Sequence, residues 1–102
     1  MDYSIRIGNG RQDLDPDNDN VDVEVRFTDG GRYAATFFTV KNLRALMHRY
    51  AESGECADGL YVWAADMIVV ARLTPSTIRA VVDDLLKSGE FNDAFASLEE
   101  QT

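Results

Sequence analysis

The sequence predicts an α+β domain: a mostly antiparallel sheet of about five strands, with two main helices and a short C-terminal helix on one face, in the order β-β-β-α-β-β-α-α. Three observations point there. Val21, Val23, Val25 and Phe27 alternate with Asp22, Glu24, Arg26 and Thr28, the two-residue period of a strand with one buried face and one wet face. Asp29-Gly30-Gly31 follows at once, a turn tolerant of positive φ that returns the chain as a second strand. Two later segments place apolar residues at helical spacing between a threonine cap and a glycine stop. With 102 residues, 45% of them hydrophobic and 27% charged, the chain reads as a single globular domain over residues 1–102.

Each element has its own signal. Tyr3, Ile5 and Ile7 alternate with Ser4 and Arg6 as a short first strand that ends at Gly8-Asn9-Gly10. A connection from 8 to 20 follows, longer than the two to five residues usual for a hairpin, and loops of that kind tend to carry function or to move. After the alternating strand and the glycine turn, Arg32 to Thr39 is rich in aromatic and β-branched residues. Thr39 then caps a helix with Leu43, Leu46, Met47 and Tyr50 on its apolar side, stopped at Ser53-Gly54.

Leu60 to Trp63 and Met67 to Leu73 read as a second hairpin around Ala64-Ala65-Asp66, and the near-continuous Met-Ile-Val-Val-Ala suggests an interior strand. Thr74-Pro75 opens a helix whose stripe is Ile78, Val81, Val82, Leu85 and Leu86, ending at Gly89. Phe91, Phe95 and Leu98 repeat at i, i+4 and i+7 and read as a short last helix or turn that packs its aromatics back onto the domain, followed by a polar tail at 99–102.

Charge narrows the function classes. The formal net charge is -8, and between Asp13 and Asp29 seven acids face Arg26 alone. Phosphate contact needs a basic face, so binding to nucleic acid is not expected; a basic protein partner, self-association or a divalent cation is. The longest apolar runs, Tyr61 to Ala65 and Met67 to Ala71, are five residues each, against roughly 20 to span a bilayer, and membrane insertion is not expected either. One cysteine and no secretory pattern favour a reducing, cytoplasmic setting.

The segment RQDLDPDNDN, residues 11 to 20, is the main candidate site. Asp13, Asp15, Asp17 and Glu24 fall at the first, third, fifth and twelfth positions of a calcium loop. The sixth position holds Asn18 where such loops need glycine, Asn20 stands where an apolar residue belongs, and a strand rather than a helix follows. Calcium is thus the secondary reading and no cofactor is otherwise implied. The primary reading makes Asp13, Asp15, Asp17, Asp19, Asp22 and Glu24 a surface for a basic partner, as in an immunity or inhibitor protein whose carboxylates imitate phosphates.

Catalytic readings are weak. His48 falls on the polar side of the first helix, and Cys56 sits among acids that raise rather than lower a thiol pKa. Asp83 and Asp84 point about 100° apart on a helix, with Arg79 and Lys87 each four residues from Asp83. Asp66, in Trp-Ala-Ala-Asp-Met, reads as a turn aspartate. Gly8-x-Gly10 lacks the third glycine of a phosphate loop; one histidine, one cysteine and no convergent motif leave only scattered carboxylates, and no enzyme activity is expected.

The phrases YAATFFT, SGECADGLYVWAADMIVV, LTPSTI and VVDDLLKSGEF, in that order, resemble a group of small bacterial proteins of unknown function. The resemblance covers roughly residues 25 to 95, leaves the acidic loop outside, and implies a bacterial cytoplasmic origin without any activity or site residue.

Overall fold

The computed structural model describes residues 2–98. It is an α+β fold with a five-stranded, mostly antiparallel sheet, as the alternation and the glycine turn predict. Its strands are β1 (Tyr3–Ile7), β2 (Asn20–Phe27), β3 (Arg32–Thr39), β4 (Met67–Val70) and β5 (Ala96–Ser97). Its helical segments are α1 (Val40–Ser53), α2 (Glu55–Gly59), α3 (Pro75–Ser88) and α4 (Phe91–Ala94). No described helix is long and apolar enough to cross a membrane.

Burial along β2 follows its sequence. Val21, Val23, Val25 and Phe27 are buried while Asp22 and Arg26 are exposed. Antiparallel neighbours put Ile5 opposite Val25 in β1, and Ala35 opposite Val23 in β3, so the same face is apolar across three strands. Around the β2–β3 turn, Gly30 takes φ +96° and Asp29 Oδ1 accepts from the Gly31 amide at 2.9 Å.

α3 closes the apolar face. Thr74 caps it through the Thr77 amide at 3.1 Å, Pro75 occupies the first turn, and Ile78 and Val82 are fully buried against the sheet residues. The Tyr3 hydroxyl donates to Asp83 and the Arg79 guanidinium lies 4.9 Å from the Tyr3 ring centre, which tethers β1 to α3. α4 then turns Phe91 and Phe95 back under the sheet, stacked with centroids 4.5 Å apart.

Several expectations need correction. Leu60 to Trp63 forms no strand; Leu60 is 80% and Trp63 69% exposed. The reason is topological. The chain leaves β3 directly into α1, so after α1 it must travel back before β4 can pair, and β4 therefore runs parallel to β3, with Phe37 opposite Ile68. β4 pairs only with the second half of β3, so it is an edge strand with Val69 half-exposed rather than an interior one. The first half of β3 pairs instead with β5, a two-residue strand formed where a helix through Leu98 was expected.

α1 also departs from the expected packing. Its buried residue Leu46 and the buried Phe38 both lie outside the main core cluster, which sits between the sheet and α3 with α4. Much of what α1 contacts is α2, a left-handed turn in which Cys56, Ala57 and Asp58 have φ of 50° to 59°. Gly59, at φ +82°, lets that turn approach α1 so closely that an added Cβ would fall 2.2 Å from the Met47 carbonyl oxygen. The expected polar tail, 99–102, lies outside the described residues.

Candidate interaction surface

The acidic connection between β1 and β2 is an ordered loop held at three places. At its start the Gly10 and Arg11 amides donate to the Ile7 carbonyl, each at 3.0 Å. In its middle Asp15 Oδ1 accepts from the Asp17 and Asn18 amides at 3.0 and 3.2 Å, the side-chain turn that Asp-Pro-Asp-Asn favours, and the Pro16 carbonyl accepts from the Leu73 amide at 2.8 Å. At its exit Asn42, in the first turn of α1, bonds both Asn18 and Asn20 through its side-chain amide, at 3.2 and 2.8 Å.

Arg11 is the centre of charge. It meets Asp13 at 3.1 Å and binds both oxygens of Asp19, at 3.1 and 2.8 Å. These bonds push its own pKa further up. Burial raises the Asp19 pKa, but the Arg11 bond and the Asp15 and Asn20 amides outweigh it and hold the carboxyl below its ordinary value. Asp13 stays 85% exposed, and Asp17, 69% exposed, lies 3.6 Å from Arg72. This organising role of Arg11 was missed in the sequence, although it is the only cation between Ile7 and Val25.

Asp22 and Glu24 stand apart from the loop acids. They belong to the sheet face opposite the core, where Thr36 Oγ1 donates to Asp22 at 2.9 Å. Glu24 takes hydrogen bonds from Arg32, at 3.0 Å, and from Arg26, which together lower its pKa to about 2. The structure thus brings Asp13, Asp15, Asp17 and Asp19 into one loop and leaves Glu24 neutralised on the sheet. Asp13, Asp15, Asp17 and Glu24 do not converge as a calcium set would require, and no group of three or more His, Cys, Asp or Glu among the described residues could hold a metal ion.

The remaining sequence candidates are dispersed. His48 is exposed, 3.8 Å from Glu52 one helical turn on. Cys56 is half-buried in the left-handed turn. Asp83 accepts from Tyr3, and Asp66 occupies a turn at φ +51°, its carbonyl bonded to the Thr36 amide at 3.0 Å. Phe38 is buried, whereas Tyr61 and Trp63 are exposed. No family model, curated protein or solved structure matches the chain.

Proposed function

We propose that the protein is a non-enzymatic interaction module whose exposed acids, Asp13, Asp15 and Asp17 on the loop and Asp22 on the sheet face, are read by a basic protein partner, in the manner of an immunity or inhibitor protein, while Asp19 and Glu24 are engaged by the protein's own arginines. The observation that carries the reading is preorganisation. Asp19, Asp15 and Asn18 pin the loop from within, while Asp13 and Asp17 remain on its outer surface. A partner then meets carboxylates whose backbone is already ordered, which lowers the entropic cost of association. A cytoplasmic setting belongs to the same reading.

Binding to poly-L-lysine at low and high ionic strength tests it. Asp13→Asn/Asp17→Asn/Asp22→Asn should bind more weakly and with a shallower salt dependence than a charge-matched control, Glu52→Gln/Asp84→Asn/Asp93→Asn. Equal loss in both triple variants would mean that only net charge matters and would sink the surface. Self-association is a second reading, favoured by exposed Leu60, Tyr61 and Trp63 in the connection that leads to the edge strand β4. Sedimentation at rising concentration tests that reading, with Trp63→Ser as the disrupting variant.

A further inference from the structure

We propose that the cavity between the β2–β3 turn and the α3–α4 corner binds an organic cation, an ammonium or guanidinium head carried on an apolar body. The cavity is about 370 Å³, within the size range of small-ligand sites, and Phe27, Tyr33 and Phe91 line it. The three rings meet edge to face, with centroids 5.2 to 5.6 Å apart, so their positions are fixed before any ligand arrives. Aromatic faces attract cations through their quadrupole.

Two further features give the cavity its sign. Among the described residues lining it, Asp29 is the only charged one, and none is a lysine or arginine. The Gly31 amide holds one Asp29 oxygen at 2.9 Å, which orients the carboxylate. Gly89, the left-handed cap of α3, also lines the cavity and brings the carbonyl-bearing, negative end of a 14-residue helix to it. An aromatic lining, a carboxylate and a helix C-terminus all favour positive charge. Asn92 adds a neutral amide to the lining.

Gly31 leaves room for two of the lining side chains. A Cβ there would lie 3.2 Å from Asp29 Oδ1 and 3.3 Å from the Tyr33 ring. The site is separate from the acidic loop, because β2 runs from Asn20 at the loop to Phe27 at the cavity, roughly 24 Å of strand. Failure of the basic-partner reading would therefore leave this one standing, and the converse also holds.

Amide NMR titration tests the proposal with three probes: choline, its neutral carbon analogue 3,3-dimethylbutan-1-ol, and N-acetyl-arginine amide. Choline or the arginine amide should shift the amides of Asp29, Gly31, Gly89 and Asn92, with the neutral analogue at least about tenfold weaker. Tighter binding of choline would assign the site to a free small cation, and tighter binding of the arginine amide to a partner's side chain. Asp29→Asn retains an oxygen for the Gly31 amide, so the turn should survive and cation affinity should fall about tenfold; Gly31→Ala should weaken binding by displacing Asp29 and Tyr33. Equal affinity for the neutral analogue, no shift with either cation, or an unchanged affinity in Asp29→Asn would overturn the proposal.

Discussion

Asp19 and Thr39 exchange two hydrogen bonds: the Thr39 amide donates to the Asp19 carbonyl at 3.1 Å, and the Asp19 amide donates to Thr39 Oγ1 at 3.3 Å. The same Thr39 oxygen accepts from the Asn42 amide at 3.2 Å, so one hydroxyl both caps α1 and fastens the end of the acidic loop. Thr39 is 1% exposed, so the oxygen is shielded from bulk solvent.

Thr39→Val keeps the side-chain volume and removes that oxygen. It should destabilise the domain by about 2 kcal/mol, through a lost cap and an unsatisfied amide, as read from urea unfolding. Thr39→Ser should recover most of the loss. Faster hydrogen exchange at Asp19 and Asn42 together would identify the shared oxygen as the cause.

Acid should loosen the outer sheet face. Arg32 and then Arg26 hold the Glu24 pKa down at about 2 against an ordinary 4.5. Because the folded value is the lower one, the stabilisation is complete above pH 4.5 and is lost as pH falls toward 2. Asp19, also lowered, acts in the same direction. Thermal midpoints measured across this interval should fall, and fall less steeply in Glu24→Gln; identical slopes would show that the Glu24 pairs contribute nothing.

Two glycines separate conformational strain from steric exclusion. Gly30→Ala places a Cβ in open space at φ +96°, so it should cost roughly 1–2 kcal/mol. Gly59→Ala adds a clash with the Met47 carbonyl and with the Ala51 backbone nitrogen 2.8 Å away, and should cost at least about 3 kcal/mol or prevent folding. Comparable urea midpoints for the two variants would mean that α2 moves off α1 at little cost.

Calcium should leave stability unchanged. Arg11 occupies Asp13 and Asp19, Arg26 and Arg32 occupy Glu24, and a bound ion would have to displace them. Melts with calcium, magnesium or EDTA at matched ionic strength should share one midpoint. A calcium-specific rise, about 2.7 kcal/mol at 100 times the dissociation constant, would reinstate the loop as a metal site.

Local pattern was legible wherever one residue reported its own surroundings. The alternation of Val21 to Phe27, the Thr39 and Thr74 caps, and the glycine stops at Gly54 and Gly89 all appear in place. The Met67–Val70 run misled because an apolar stretch does not state how many neighbours it has, and β3 offered only half of one edge. In the acidic loop, spacing mimicked a calcium site, but which acids converge depends on Arg11 and on the turn that Asp15 makes with its own backbone.

Sequence alone determined the fold class, the faces of β2, the bounds of α1 and α3, and an excess of acid between Asp13 and Asp29, because period, caps and charge are properties of neighbouring residues. Tertiary structure decided the rest. It set the parallel course of β4, the left-handed turn against α1, the neutralisation of Glu24 and Asp19, and the meeting of Phe27 and Tyr33 with Phe91 beside Asp29. Each of these joins residues distant along the chain or depends on how much room a neighbouring element leaves, and no local pattern carries that information.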